Sequence, residues 1–171
     1  PGARVCAVEP QPSCLSILYD KFGSDAEVKI VQKAAGASSG RATLHISSSD
    51  VLSSMSTDWI KQVQDSGRFD QADWSRTIDV EVVTLDMLVA EYEIPEFVKI
   101  DVEGYELEVL KGLSEPVRGL SFEFTPERAA SGIECAERIS HLGTYGFNVS
   151  RGETMQMEWP EARDLSAVMT F

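Results

Sequence analysis

A chain of 171 residues with 43% hydrophobic content can bury one sizeable core, while a formal charge of −13 at pH 7 and no Lys/Arg cluster argue against nucleic acid or anionic membrane as partners. No apolar run approaches the ~20 residues of a membrane helix, and the start lacks a basic-then-apolar leader, so a cytoplasmic setting is expected. Cys6, Cys14 and Cys135 are odd in number and widely spaced, which reads as three small buried hydrophobes and not as a disulfide or zinc framework.

The chain enters a strand almost at once with "RVCAV", then turns at "PQPS" into a helix carrying Leu15, Leu18, Tyr19 and Phe22 at helical spacing and ending near Gly23. "EVKIV" reads as a second strand, "AAGASSG" as a turn-rich link, and "RATLHIS" as a third strand that pairs nearby. Residues 47–77 are rich in Ser, Asp and Gln yet carry Trp59, Phe69 and Trp74; a lid is expected, against a plain helical hairpin packed on the core. In "IDVEVVTLDMLVAEY" the apolar period changes from two to about 3.6, a strand running into a helix. Two further strand–helix pairs follow, "FVKIDV" with "YELEVLKGL" and "LSFEF" with "GIECAERISHLG". "GFNVS" and "LSAVMTF" are read as two antiparallel closing strands. Strands alternating with helices predict a single α/β domain over residues 1–171 with a mostly parallel sheet.

Ligands of such sheets bind beyond the carboxyl ends of the strands, and three strand ends here carry acids: Glu9, then Asp101 with Glu103, then Glu123. An acid in the position of Glu9 suits both hydroxyls of a ribose. Asp101 follows an apolar strand, where an unpaired buried charge is costly, and so reads as a ligand or catalytic group. Glu103 and Glu106 have a simpler explanation in the free amides of the following helix, although Glu103 also stands as a substrate-side candidate. Gly104 suits a sharp strand-to-helix turn. His45 and His141 are isolated and read as structural, and no metal ligands are assigned.

The segments "VCAVEPQP", "AAGASSGRATL", "VVTLDMLV" and "FVKIDVEGYELEVLKG" followed by "LSFEF" together resemble the FkbM-type family of S-adenosylmethionine-dependent methyltransferases, over most of residues 4–124. The resemblance implies a Rossmann-like class I methyltransferase sheet with S-adenosylmethionine as cofactor. Glu9, with Pro10 beside it, would hold the ribose, Ala34 and Ala35 would lie against adenine, and Asp101 would face the site of methyl transfer. The acceptor implied is a hydroxyl on a sugar or natural-product-like small molecule. The family's first strand and its "D-x-G-A-N-x-G" cofactor loop should precede Pro1, so a fragment of a longer protein is expected, lacking one strand–loop–helix unit.

A hydroxyl acceptor has to lose a proton, and Asp101 is the first candidate base with Glu123 second. The rival reading is a non-catalytic methyltransferase-like binding or assembly module. A nicotinamide-dependent oxidoreductase is disfavoured, because no dinucleotide fingerprint occurs. Self-association into a homo-oligomer is left open.

Overall fold

A computed structural model describes residues 2–170. β1 (Val5–Val8) is a short β-branched strand paired in parallel with β2 (Val28–Val31), Val5 opposite Val28. The crossover between them is α1 (Pro12–Phe22), which starts with proline where a helix has no need of an amide donor. Of the four apolar positions expected on its face, Leu15 alone is fully buried, and Tyr19 and Phe22 are exposed. The ladder beneath it has only two strands, so it covers only a narrow stripe of the helix.

β3 (Ala34–Ala35) and β4 (Gly40–Ile46) both pair with β5 (Arg76–Val83), β3 in parallel and β4 antiparallel. The third strand of the sequence reading therefore finds its partner across residues 47–75. α2 (Thr57–Ser66) lies in that interval, with the Ser56 hydroxyl accepting the Trp59 amide at its start and Gly67 in the left-handed conformation at its end. Its apolar side forms a satellite core of Trp59, Ile60, Val63 and Trp74, joined by Phe69. The two indoles meet edge to face, 6.0 Å apart.

α3 (Leu85–Tyr92) follows β5, capped by Thr84. β6 (Val98–Ile100) pairs in parallel with β7 (Leu120–Phe122) through the crossover helix α4 (Glu106–Lys111). With α5 (Ala129–Ser140) these elements enclose the largest core: Ile100, Val109, Leu110, Leu113, Cys135 and Ile139. Residues 34 and 35 divide between cores, Ala34 with Leu44, Ile46 and Val80, Ala35 against the α4 cluster. Adjacent strand residues point to opposite faces, so β3 joins the two.

The chain is thus mixed α/β, as expected, but among the described residues its strands form three separate ladders of two, three and two strands. The antiparallel closing strands are not formed among the described residues, and Phe171, at the end of the second, lies outside them. Residues 147 and 150 make isolated bridges to 163 and 157, and Leu165–Met169 is a helix, α6. The Asp164 carboxylate accepts the Ala167 amide at 3.2 Å and caps that helix, a local signal that overrides the β-branched content of the run. Cys6 also departs from expectation, since it is exposed on β1, whereas Cys14 is half-buried and Cys135 fully buried. No helix among the described residues is long and apolar enough to cross a membrane.

Candidate functional site

In the β6–β7 ladder Lys99 lies opposite Ser121 and Ile100 opposite Phe122, so the next rung sets Asp101 beside Glu123. Residues two apart on a strand share a face. Lys99 accordingly lies next to both, and its ammonium donates to Asp101 Oδ2 at 2.5 Å and to Glu123 Oε1 at 3.2 Å. Asp101 is therefore neither buried nor unpaired, with its side chain 39% exposed. The expectation of a buried lone charge is corrected: an exposed ion pair relieves the desolvation that would otherwise make the position costly.

Beyond Val102 the backbone turns through two left-handed residues, Glu103 at φ 52° and Gly104 at φ 85°. A Cβ at Gly104 would run into the Trp59 indole, so glycine is required both by the dihedral and by the close approach of α2. Glu103 is not glycine, and its turn is held from outside: Ser54 Oγ donates to the Glu103 main-chain oxygen at 2.6 Å. Glu106, 4% exposed, turns back so that Oε1 accepts the Gly104 amide at 3.0 Å. Burial pushes its carboxyl upward, and the backbone amides it accepts oppose that. Glu106 braces the turn, a structural part as the sequence suggested, through main-chain amides of the turn itself.

These elements leave a small cleft of about 60 Å³ whose wall includes Trp59, Asp101, Glu103, Glu123, Arg128 and Cys135. Four carboxylates gather there in different states. Asp101 and Glu123 share an ammonium, and Glu106 accepts backbone amides. The Glu103 carboxylate, half-buried, has no hydrogen bond or ion pair among the described residues. Burial foremost, then the charges of Asp101, Glu106 and Glu123, lift it to about 7. Cys135 is pushed by burial up to about 12, so it stays a thiol and is no nucleophile. Among the described residues no group of three or more His, Cys, Asp or Glu side chains is placed to hold a metal ion.

Glu9 sits half-buried at the end of β1, where its Oε1 accepts the Gln11 amide at 2.7 Å. Gln11 is itself buried, and its Oε1 accepts Ser53 Oγ at 2.8 Å. Ser53 and Ser54 thus reach in opposite directions, one to the turn after β1 and the other to the turn after β6. Pro10 lies half-buried beside Glu9. Ala34 is 3% exposed inside its core and offers no side-chain surface, so of that pair Ala35 is the one left partly accessible.

Lys99, Gln11, Ser53 and Ser54 support the site and were not singled out by sequence reasoning, whereas Trp59, expected in a lid, stands in the cleft wall. Lys99 had a readable signal, its two-residue spacing from Asp101. The serines and Gln11 had none, since their partners lie 42 and 49 positions away.

The parallel strands β6 and β7 run out at an acid-lined cleft, the edge at which α/β sheets bind their ligands. The chain matches the methyltransferase FkbM domain over residues 1–149, and it belongs to that family of methyltransferases. No match to the chain was found among curated proteins or among solved structures.

Proposed function

We propose that this methyltransferase uses S-adenosylmethionine to methylate a hydroxyl oxygen on a sugar or a natural-product-like small molecule, on a Rossmann-like sheet and in the cytoplasm. The family match carries methyl transfer. The carboxylates at the ends of β6 and β7 support a hydroxyl acceptor, because such a group must be positioned and relieved of its proton. Three free cysteines suit a reducing compartment.

When bound, S-adenosylmethionine supplies an electrophilic methyl group. Glu9, anchored through Gln11, would accept hydrogen bonds from the ribose hydroxyls. Asp101 and Glu123, held side by side by Lys99, orient the acceptor by accepting from its hydroxyl groups. Trp59 closes one wall with an apolar ring that keeps water from that side. In-line displacement depends mainly on alignment, and well-oriented reactants reach effective molarities of about 10⁵–10⁸ M.

The test is calorimetric titration with S-adenosylmethionine, followed by transfer of labelled methyl to a panel of methyl glycosides and polyols. Cofactor binding with transfer is expected. Binding without transfer to any acceptor favours the non-catalytic module, and absence of binding removes the proposal.

A further inference from the structure

Resting on the methyl-transfer reading, we propose that Glu103, and not Asp101 or Glu123, takes the proton from the acceptor hydroxyl, and that Lys99 divides these roles by occupying the other two carboxylates. Each acid of the cleft already has a position that decides its use. Asp101 and Glu123 face one ammonium, at 2.5 and 3.2 Å, so a proton arriving on either competes with that contact. Glu106 is buried and committed to the amides of the turn. Glu103 lines the cleft with its carboxylate unpartnered among the described residues, and Ser54 fixes the left-handed backbone that presents it there.

The charged and titratable groups around Glu103 come from every element of the cleft wall. β6 contributes Lys99 and is followed by Asp101, β7 is followed by Glu123, α4 contributes Glu106, the turn before α5 carries Arg128, and α5 carries Cys135. Trp59 of α2 adds an uncharged wall. Burial and the three neighbouring acids raise the Glu103 carboxyl while Lys99 lowers it, and the resulting value of about 7 matches the proton affinity a base needs near neutral pH. In the step, the acceptor oxygen gains the methyl carbon and gives its proton to Glu103 Oε. The electron pair of the broken carbon–sulfur bond stays on sulfur. No further oxidant, reductant or metal is required for balance.

The experiment uses the full chain, with glutamate labelled at the side-chain carboxyl by carbon-13 and titrated by NMR, alongside labelled methyl transfer to methyl glycosides and polyols. One glutamate is expected to titrate near pH 7 and to vanish in Glu103→Gln. That variant should bind S-adenosylmethionine like wild type yet turn over about 10²–10⁴-fold more slowly, and the fall in rate on the acid side should disappear. Asp101→Asn should keep that acid limb and raise KM more than it lowers kcat. The proposal is overturned if no glutamate titrates above about pH 5.5, a limit set one unit over the ordinary carboxyl, or if Glu103→Gln turns over at the wild-type rate. Wild-type protein that binds no S-adenosylmethionine, or transfers methyl to no hydroxyl, overturns the methyl-transfer reading and this proposal with it.

Discussion

Ser54 and Glu103 meet through a hydrogen bond of 2.6 Å from the serine hydroxyl to the glutamate main-chain oxygen, although 49 positions separate them. The same serine oxygen accepts the Ser56 amide at 2.9 Å, and the residue is 1% exposed. Replacing it with alanine strands a buried acceptor and a buried donor. Ser54→Ala should cost about 1–3 kcal/mol and lower Tm by several degrees, with a larger loss of turnover than of cofactor affinity. A thermal melt and a transfer assay measure both, and an unchanged melt would show that the turn after β6 holds itself.

Gly104 stands under the Trp59 indole with φ at 85°. Gly104→Ala adds a methyl where there is no room and a left-handed penalty together. The two add to about 2–5 kcal/mol. Urea unfolding should show it, and near-ultraviolet dichroism should report displaced tryptophan. Stability equal to wild type would mean that α2 slides away from the turn at no cost.

The raised carboxyl of Glu103 makes stability depend on pH in a defined direction. Its ordinary value of 4.5 applies to the unfolded chain and about 7 to the folded one, so the folded state binds the proton more tightly. Below 4.5 both states are protonated and the group has no effect; stability falls as pH rises from there and the loss is complete above 7. The full shift is at most about 3 kcal/mol, and half-burial with solvent screening reduces it to about 1–2 kcal/mol. Glu103→Gln should therefore match wild type near pH 4 and exceed it near pH 8, read from denaturant midpoints at the two values. Equal midpoints at both would place the folded carboxyl at its ordinary value.

How far the sequence reaches is clearest at β6. Its apolar residues, the acids beyond it and the need for Gly104 can all be read from "FVKIDVEGYE", because strand period and turn chemistry are local. Lys99 could have been read too, since it shares a strand face with Asp101, but a lysine inside a strand looks like ordinary solvent alternation. Ser53, Ser54 and Gln11 were beyond reach: their bonds depend on how residues 47–54 cross the ends of two strands, which no spacing encodes. At the other extreme, "LSAVMTF" misleads through its β-branched and aromatic content, and the Asp164 cap that decides for helix lies one residue upstream. The exposed Tyr19 and Phe22 of α1 show the same limit, because periodicity locates an apolar face but not what covers it.

At the cofactor side, Glu9→Ala removes a charged acceptor held at the end of β1. S-adenosylmethionine affinity should fall by about 1.5–3 kcal/mol, and the melt of the free protein should drop slightly because the Gln11 amide loses its acceptor. Calorimetry on both proteins decides it, and equal affinity would move the ribose elsewhere.

β1 pairs with β2 alone among the described residues, and Val5 is 48% exposed beside an exposed Cys6. An open apolar edge is a template for another strand. The 171-residue chain should therefore self-associate on size exclusion in reducing buffer, and Val5→Lys should shift it toward monomer. A monomeric wild type at high concentration would show that the edge is inert.

Ser53 and Ser54 are consecutive, so the anchor of the Glu9 turn and the anchor of the Glu103 turn are about 3.8 Å apart at their Cα atoms and separated by one planar peptide unit. The turn after β1 and the turn after β6 therefore hang on one short segment, and a change in the path of residues 53–54 disturbs both.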